Sequence, residues 1–302
     1  MSSYPKITVV TQCFNREAYI AETLDSVLSQ NYPNLEYIVL DDNSTDGSWD
    51  IIQRYSDRLT ICERRTEESM TPVPTINYGF SRSTGEILIW LNAKNILMPK
   101  SLFTAADIFS RFPEIEWLTG IGLTIDGDGK IVSVVPYRKD KYGYLIGESG
   151  NIQQESTFFR RSLWERAGGA FDLAYPNAFD VGLWSKFFPL ARLYFATTVF
   201  GAYRKSSTAM SSARRDEFHR YSDAAISELR RNVSGTERAY AELYRLLRLG
   251  RPLLQLIPDA IFSHLPLLGR FSQKGVKFAT LEQDRGVPTI YSRNPFRTIF
   301  PW

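Results

Sequence analysis

Glu86-Ile87-Leu88-Ile89-Trp90-Leu91, followed by Asn92-Ala93-Lys94-Asn95, carries the strongest structural signal in this chain. The first six residues form an almost unbroken apolar run after Gly85, which predicts a central strand that is buried on both faces of a sheet. The next four residues are small, polar or cationic, and they stand where such a strand ends. Ligands of open α/β sheets bind beyond the carboxyl ends of the strands, so we expect the functional site near residues 92–95.

Two earlier segments show the same succession of an apolar strand and a polar turn. Ile7–Thr11 runs into Gln12-Cys13-Phe14-Asn15, and Glu36–Leu40 runs into the acidic segment Asp41–Gly47. Apolar residues at helical spacing lie between the two, and we expect Asn15 to cap that helix. Alternating strands and helices predict a doubly wound, mainly parallel sheet.

The remaining segments extend this pattern. We predict helices near residues 48–55, 74–83, 99–111 and 179–188, and strands near residues 60–62, 117–125, 131–135 and 193–200. Asp126–Gly129 predicts a hairpin turn between two strands. A calcium loop is excluded there because the other ligand positions of such loops are missing.

The chain divides into two regions by composition. With 302 residues, 43% of them hydrophobic, it is long enough for one large α/β domain and an appendage. We predict a first domain of residues 1–208 and a helical, basic C-terminal region of residues 209–302. Residues 206–302 hold 15 Lys/Arg and 9 Asp/Glu. This region suits contact with an anionic membrane surface; a solvated helical face, packing on the first domain or a homodimer contact would explain its composition equally well.

The cysteines and the apolar segments indicate the compartment. Cys13 and Cys62 form neither a metal spacing nor a disulfide framework, which fits a reducing cytosol. Neither a signal peptide nor a run of about 20 uncharged apolar residues is visible. We therefore expect a cytoplasmic protein, peripheral at the inner membrane face if it meets a membrane, with no nucleic-acid partner.

Several segments, taken in order, resemble the family-2 glycosyltransferases of the GT-A fold over roughly residues 6–208. They are Ile7–Asn15 with Ala18–Ile20, Ser26–Pro33, Val39–Ser48, Ile76–Phe80, Thr84–Ile87, Gln154–Arg161 and the Asp180 to Trp184 helix. The resemblance implies an α/β fold of the nucleotide-diphospho-sugar transferase type, a Rossmann-like mixed sheet flanked by helices. In this chain the fold would carry a helical C-terminal extension.

The resemblance also implies an activity. Family members are mostly bacterial enzymes that build surface polysaccharides, and they transfer a sugar with inversion from a nucleotide diphosphate, most often a UDP-sugar, to a glycan or lipid-linked acceptor. Asp180 matches the general base that deprotonates the acceptor hydroxyl. The implied donor-binding residues are Thr11, Gln12, Asn15, Asp41, Asp42, Asn92, Lys94 and Arg204, and the implied acceptor-binding residues are Gln154, Glu155 and Trp184.

Some of these assignments have a structural alternative. Asp42 would accept a hydrogen bond from the nucleobase, whereas Asp41 and Asp46 would equally well only build Asx turns. Trp184 lies one turn beyond Asp180 on the same predicted helix. An aromatic residue at that spacing also suits the hydrophobic core.

The chain departs from the family pattern at the metal site. The usual Asp-X-Asp reads Asn92-Ala93-Lys94, and the usual Arg-X-His reads Arg204-Lys205-Ser206. Two like unit charges in contact repel by about 4 kcal/mol at an effective dielectric constant near 20, so we expect no Mg²⁺ or Mn²⁺ cofactor.

Three explanations for Lys94 are open at this point. Lys94, with Arg204 or Lys205, pairs the donor diphosphate directly. Alternatively, catalysis is lost and the domain is a binding or scaffolding partner in a polysaccharide assembly complex. In the third explanation Lys94 only lies on the surface of a loop.

Overall fold

The computed structural model of the chain describes residues 4–66, 71–135, 140–147, 152–205, 212–278 and 288–293. The strands in these residues are β1 (Ile7–Cys13), β2 (Leu35–Asp41), β3 (Ile61–Arg64), β4 (Ile87–Asn92), β5 (Ile96–Leu97), β6 (Trp117–Thr119), β7 (Gly122–Ile125), β8 (Ile131–Val135), β9 (Thr157–Arg160), β10 (Leu193–Ala196), β11 (Gly201–Arg204), β12 (Gln273–Phe278) and β13 (Pro288–Arg293).

The helices of the described residues lie between these strands and after them. They are α1 (Ile20–Leu28), α2 (Ser48–Gln53), α3 (Val73–Arg82), α4 (Ser101–Arg111), α5 (Lys141–Leu145), α6 (Arg161–Arg166), α7 (Phe179–Phe187), α8 (Ser212–Asn232), α9 (Gly235–Leu249), α10 (Arg251–Leu254) and α11 (Asp259–His264). Short 3₁₀ helices span Ser56–Arg58, Gln154–Ser156 and Leu268–Phe271. Within the described ranges no helix combines the length and the apolar character that crossing a bilayer requires.

One mixed sheet forms the centre of the molecule, with strand order β13-β12-β10-β6-β9-β4-β1-β2-β3. β1 pairs in parallel with β2 on one side and with β4 on the other. β9 runs antiparallel to both β4 and β6. A smaller sheet has the order β5-β11-β7-β8. Helices cover both faces of the large sheet, which confirms the predicted mixed α/β fold class.

β4 lies in the middle of the large sheet and is buried on both faces, as its sequence predicted. Ile87, Ile89 and Leu91 pack into the core that includes residues of α1, α2 and α4. Leu88 and Trp90 pack into the opposite core, with residues of α3, α6 and α7. Successive side chains of a strand point to opposite faces, so a strand between two cores is apolar at every position.

Glu36, at the start of β2, connects the central strands at the edge away from their carboxyl ends. Its buried carboxylate accepts hydrogen bonds from Thr8 Oγ1 at 2.5 Å and from Thr84 N at 2.7 Å. Lys6 Nζ lies 3.3 Å from it. Burial alone would raise the pKa of Glu36, but the hydrogen bonds from Thr8, Thr84 and Lys6 outweigh it and lower the pKa from 4.5 to about 2. The ionised carboxylate therefore holds β1, β2 and the segment that precedes β4 together.

The first helix begins later than its sequence predicted. α1 begins at Ile20, and Asn15 does not cap it. Asn15 has a φ of 50°, and its Oδ1 accepts a hydrogen bond from Thr45 N at 2.8 Å. The capping prediction is wrong because the Asn15 side chain connects the turn after β1 to the turn after β2.

The predicted hairpin is confirmed. β7 and β8 are antiparallel, and the turn between them contains Gly129 with a φ of 83°. Asp126 Oδ1 accepts backbone hydrogen bonds from Asp128 N at 3.0 Å and from Lys130 N at 2.9 Å. The acidic residue therefore stabilises the turn itself.

The C-terminal region is helical only in part. α8 packs against α7, and α9 packs against α5, but β12 then pairs in parallel with β10, and β13 pairs with β12. The description of this region as helical is therefore wrong for β12 and β13. The physical reason is that an open edge at β10 would leave backbone N–H and C=O groups unpaired. The boundary at residues 208 and 209 falls outside the described residues, and the division into two domains stays a prediction.

The ionised state of Glu36 leads to a stability prediction. Because its folded pKa of about 2 is below its ordinary value of 4.5, Glu36 contributes stability above pH 4.5 that is lost as the pH falls towards 2. The difference corresponds to about 3 kcal/mol. Glu36→Gln is expected to lower the free energy of unfolding by about this amount near neutral pH and by far less near about pH 2.5, measured by urea denaturation.

The matched control is Glu242→Gln. The Glu242 side chain is 63% exposed and lies 3.2 Å from Arg245, so its removal should change the free energy of unfolding by about 0.5 kcal/mol or less. An equal loss for Glu36→Gln at both pH values would show that the charge of Glu36 is not what stabilises the sheet.

Candidate active site

The carboxyl ends of β1, β2 and β4 meet at one edge of the large sheet because the three strands are parallel. The register places Gln12 opposite Leu40 and Asn92. A cleft of about 340 Å³ opens at this edge, lined by Gln12, Phe14, Arg16, Asp42, Thr71, Pro72 and Asn92. The structure therefore brings together Gln12, Asp42 and Asn92, which the sequence had assigned to donor binding.

Asp42 presents its carboxyl group to this cleft. Its Oδ1 accepts a hydrogen bond from Thr75 Oγ1 at 2.9 Å, and its backbone N–H donates to Cys13 O at 2.7 Å. Burial raises the pKa of Asp42, although Thr75 and Arg65 counteract the rise. Thr75 fixes the orientation of the carboxyl group, which leaves it suited to accept a hydrogen bond from a ligand N–H.

Three other residues of the expected donor pocket have structural contacts instead. Thr11 is fully buried, and its hydroxyl is hydrogen-bonded to a neighbouring tyrosine at 3.0 Å. Asp41 is fully buried, accepts a hydrogen bond from Ser44 N at 3.0 Å and lies 3.4 Å from Arg64 Nε. The contact with Ser44 N is of the kind that the alternative interpretation of Asp41 as a turn residue predicts, and the donor-binding role of Asp41 stays a prediction. The Asn15 side chain connects two turns, as described above.

Lys94 lies in a tight turn directly after β4 and is half-buried. Its Nζ is 4.6 Å from the centroid of the Tyr203 ring and 3.4 Å from the Tyr203 hydroxyl. Burial lowers the pKa of Lys94, the charge of Arg16 lowers it further, and Glu155 opposes both. An aromatic face attracts an ammonium without neutralising it. The suggestion that Lys94 is an ordinary surface lysine is therefore wrong, because the side chain is partly enclosed and has a fixed neighbour.

Arg16 and Phe14 line the cleft, although sequence reasoning assigned them no role. Arg16 Nη1 donates a hydrogen bond to the carbonyl oxygen of Asn15 at 2.7 Å. The charge of Arg16 lowers the pKa of Lys94, so the two cations are close enough to repel each other, although Lys94 itself does not line the cleft. Phe14 is 50% exposed. The available signal was a cationic and an aromatic residue just beyond the end of a predicted strand.

Arg204 does not contribute to the cleft, contrary to expectation. Its side chain is 1% exposed, and its Nε donates a hydrogen bond to the carbonyl oxygen of Lys94 at 2.9 Å. Nη1 donates to the carbonyl oxygen of Gly127 at 2.9 Å, and Nη2 donates to Glu22 Oε2 at 2.5 Å. These acceptors occupy the guanidinium, so Arg204 supports the turn that carries Lys94 and is not placed to pair a diphosphate.

Asp180 and Glu155 are two carboxyl groups with raised pKa values. Asp180 lies in the first turn of α7, and its Oδ1 accepts a hydrogen bond from Val181 N at 2.9 Å. Burial raises the pKa of Asp180 to about 6. Glu155 is 1% exposed, and its Oε2 accepts a hydrogen bond from Asn95 Nδ2 at 3.3 Å.

The pKa of Glu155 reflects both of its charged neighbours. Burial raises the pKa of Glu155 to about 7, and the charge of Asp180 adds to the rise, while a backbone hydrogen bond and Lys94 oppose it. Both carboxyl groups therefore exchange protons near neutral pH, as a catalytic base must. Gln154, which begins the 3₁₀ helix that carries Glu155, is half-buried, and its assignment to acceptor binding stays a prediction.

The side chains at the end of β4 do not fit a divalent metal ion. The positions of the two family acids hold an amide, Asn92, and an ammonium, Lys94, with the Arg16 guanidinium nearby. In the part of the chain that the structure describes, no group of three or more His, Cys, Asp and Glu side chains is arranged to hold a metal. Lys205 is exposed, and Ser206 lies outside the described residues. The absence of a metal cofactor from the reaction stays a prediction.

Trp184 belongs to the hydrophobic core. It is fully buried, and its ring stacks on Trp117 with the centroids 5.4 Å apart and the planes at 23°. Trp90 lies 5.8 Å away on β4. Its assignment to acceptor binding is therefore wrong, because the face of α7 that carries it packs on the sheet.

Comparison with known protein families identifies the family. The model described as "Glycosyl transferase family 2" matches residues 8–165, more than half of the chain. The chain belongs to glycosyl transferase family 2. The match includes the cleft residues, Lys94 and Glu155, whereas Asp180 lies beyond it.

Curated relatives match parts of the chain. EpsE from Bacillus subtilis (strain 168), which carries a provisional glycosyltransferase name, is 33% identical over 106 residues, or 34% of this chain and 37% of EpsE. TuaG from the same organism, provisionally named as a teichuronic acid biosynthesis glycosyltransferase, is 34% identical over 92 residues, or 30% of this chain and 36% of TuaG. The matched region thus spans little more than a third of either relative.

Solved structures support the fold. S. aureus TarS 1-349 in complex with UDP-GlcNAc has a TM-score of 0.61 and 18% sequence identity, and the similarity covers 78% of this chain and 70% of that chain. A likeness at this level of identity shows a shared GT-A fold.

The core position of Trp184 leads to a prediction. Trp184→Ala is expected to lower the free energy of unfolding by about 3–5 kcal/mol, measured by urea denaturation, because it removes a large buried side chain and leaves a cavity. Leu173→Ala, at a position that is 62% exposed, is the control and should have little effect. Native stability of Trp184→Ala together with a raised KM for the acceptor would restore the acceptor-binding role.

Proposed function

We propose that this protein is an inverting glycosyltransferase that moves a sugar from a nucleotide diphosphate to a glycan or lipid-linked acceptor. The observation that carries the proposal is a set of groups: the oriented Asp42 carboxyl group and the cations Arg16 and Lys94 follow the ends of the parallel strands, and the titratable Asp180 lies in the first turn of α7. Asp42 suits an N–H of a nucleobase, the two cations suit a diphosphate, and Asp180 suits the proton of an acceptor hydroxyl. TarS shares the fold and binds UDP-GlcNAc, which supports a UDP-sugar as the donor.

In this proposal the nucleoside occupies the cleft. Asp42 accepts a hydrogen bond from an N–H of the base, and the half-exposed Phe14 ring offers a face for base stacking. The Gln12 and Asn92 side chains offer amide donors to the ribose and phosphate oxygens.

Lys94 and Arg16 take the place of a divalent ion at the diphosphate. Negative charge grows on the leaving diphosphate as the bond to the sugar breaks, and fixed cations stabilise that charge without rearranging. The Tyr203 ring and the Arg204 contact to the Lys94 carbonyl, which restrict Lys94, support this role. Catalysis then needs no Mg²⁺ or Mn²⁺.

Asp180 is the general base of the proposed reaction. The acceptor hydroxyl oxygen forms a bond to the anomeric carbon as the bond between that carbon and the β-phosphate oxygen breaks. The Asp180 carboxylate takes the hydroxyl proton, and the nucleoside diphosphate leaves with the bonding electron pair. Attack on the face opposite the leaving group inverts the anomeric centre.

The name of one relative supports a role in cell-surface polysaccharide synthesis. TuaG is named for teichuronic acid biosynthesis, and EpsE is named as a glycosyltransferase. We extend the polysaccharide role to this chain as part of the proposal. The two matches cover 34% and 30% of the chain.

Lys94→Met tests the replacement of the metal. This substitution keeps the length of the side chain and removes its charge, so the affinity for UDP is expected to fall about 10- to 100-fold, which corresponds to the loss of one charge-assisted hydrogen bond. Transfer by the unsubstituted protein should persist in EDTA. Isothermal titration calorimetry with UDP and a transfer assay with UDP-sugars provide the two measurements.

Lys130→Met is the matched control, because Lys130 is exposed on the β7–β8 turn. Unchanged UDP affinity in Lys94→Met, or UDP binding that depends on Mn²⁺, would contradict the role of Lys94. UDP binding without transfer from any nucleotide sugar would instead favour the binding or scaffolding alternative.

The pKa of Asp180 predicts the pH dependence of transfer. A base must be ionised, and burial raises the pKa of Asp180 from 3.8 to about 6. We therefore expect kcat/KM to fall about tenfold per pH unit below about pH 6, whereas an ordinary aspartate would stay ionised to about pH 4. Circular dichroism over the same pH range controls for unfolding.

Two substitutions distinguish the carboxyl groups. Asp180→Asn is expected to lower kcat by about 10²- to 10⁴-fold, the usual contribution of a general base. Glu155→Gln should retain turnover, and its kcat/KM should still fall at low pH. If Glu155→Gln abolishes turnover and Asp180→Asn does not, the assignment of the base is reversed.

A further inference from the structure

The C-terminal helices expose a row of large apolar side chains. Leu249 is 82% exposed and Leu253 is 74% exposed, and the row follows the end of α9 through α10 to α11. It consists of Leu246, Leu249, Leu253, Leu256, Ile261, Leu265 and Leu267. The first four recur every three or four residues, which places them on one side of successive helical turns. Leu256, Leu265 and Leu267 lie just beyond the helix ends. Large exposed apolar side chains concentrated in one segment in this way mark an interaction surface.

The same segment is strongly basic. Between residues 245 and 274 the sequence contains Arg245, Arg248, Arg251, Arg270 and Lys274 against a single acidic residue, Asp259. Arg245 and Arg270 form exposed ion pairs with Glu242 and Glu237 of α9, and the net charge of residues 237–274 remains positive. Pro252, Pro258 and Pro266 divide the segment, and α10 and α11 are accordingly short. Short helices with apolar and basic residues side by side have the composition of segments that lie along a lipid headgroup layer.

We propose that the face formed by Leu246, Leu249, Leu253, Leu256, Ile261, Leu265 and Leu267 docks on an anionic lipid bilayer. The leucine side chains enter the boundary between headgroups and acyl chains, and the exposed side chains of Arg245 and Arg270 remain at the level of the lipid phosphates. Charge complementarity selects this occupant over a second copy of the chain, because a dimer through this face would bring two basic segments together. The proposal does not depend on the proposed transferase activity.

The test is flotation of the full chain with vesicles. Phosphatidylcholine vesicles that contain about 30% phosphatidylglycerol are compared with pure phosphatidylcholine vesicles, since anionic lipid attracts basic side chains. The unsubstituted protein is expected to float with the anionic vesicles and to bind pure phosphatidylcholine at least about tenfold more weakly. The variant Leu249→Gln/Leu253→Gln/Leu256→Gln replaces three exposed apolar side chains with glutamine, which is a good helix former. The partition of this variant to anionic vesicles should fall at least about tenfold.

Ile131→Thr/Val132→Thr/Val134→Thr is the matched control. These β8 side chains are exposed apolar residues on the other sheet, and threonine retains the strand propensity. The control should float like the unsubstituted protein, and far-UV circular dichroism should show both variants folded.

Three outcomes would overturn the proposal. The full chain fails to float with anionic vesicles, so the face is covered by another part of this chain or by a protein partner. The control loses binding as much as the leucine variant does, so the face is not specific. The unsubstituted protein is a dimer by light scattering that the leucine variant converts to a monomer, so a second copy occupies the face.

Discussion

The parallel pairing of β1 with β2 and β4 is the constraint from which the site follows. Parallel strands end at the same edge, so the polar residues after each strand become neighbours although they are far apart in sequence. Buried Glu36 holds the opposite edge with hydrogen bonds from Thr8 and Thr84. A one-residue slip of β1 would break these contacts and would also turn its apolar side chains to the wrong face.

At the end of β4 this chain carries Lys94 where the family pattern has an acid, and neighbouring side chains fix the position of Lys94. Lys94 lies over the Tyr203 ring, and Arg204 donates to the Lys94 carbonyl oxygen. Glu22 accepts a hydrogen bond from the buried Arg204 guanidinium and balances its charge. Arg204 thus stabilises the turn that carries Lys94, because its guanidinium N–H groups donate to protein acceptors and not to a ligand.

Local signals explain what could be predicted from the sequence. The apolar run of β4 and the polar residues after it were sufficient to place Asn92 and Asp42 at one site, because both follow buried parallel strands. The predictions that Asn15 caps a helix and that Arg204 binds a ligand were wrong for the same reason. Each side chain is hydrogen-bonded to a residue distant in sequence, Asn15 to Thr45 and Arg204 to Glu22. β12 was missed because its pairing with β10 is also a long-range contact. Trp184 lies on the predicted helix, but its predicted acceptor-binding role was wrong, since helical spacing alone does not show which face packs on the sheet.

The two cations explain why the site is suited to an anion before one binds. Burial and the charge of Arg16 both lower the pKa of Lys94, so holding Lys94 protonated costs free energy in the folded protein. A diphosphate between them would relieve this repulsion in addition to its direct attraction. An acidic metal site follows the same logic with the signs exchanged, since its carboxylates repel until a cation arrives. In the proposed function, Lys94 would therefore act together with Asn92, Arg16 and the buried side chains that support them.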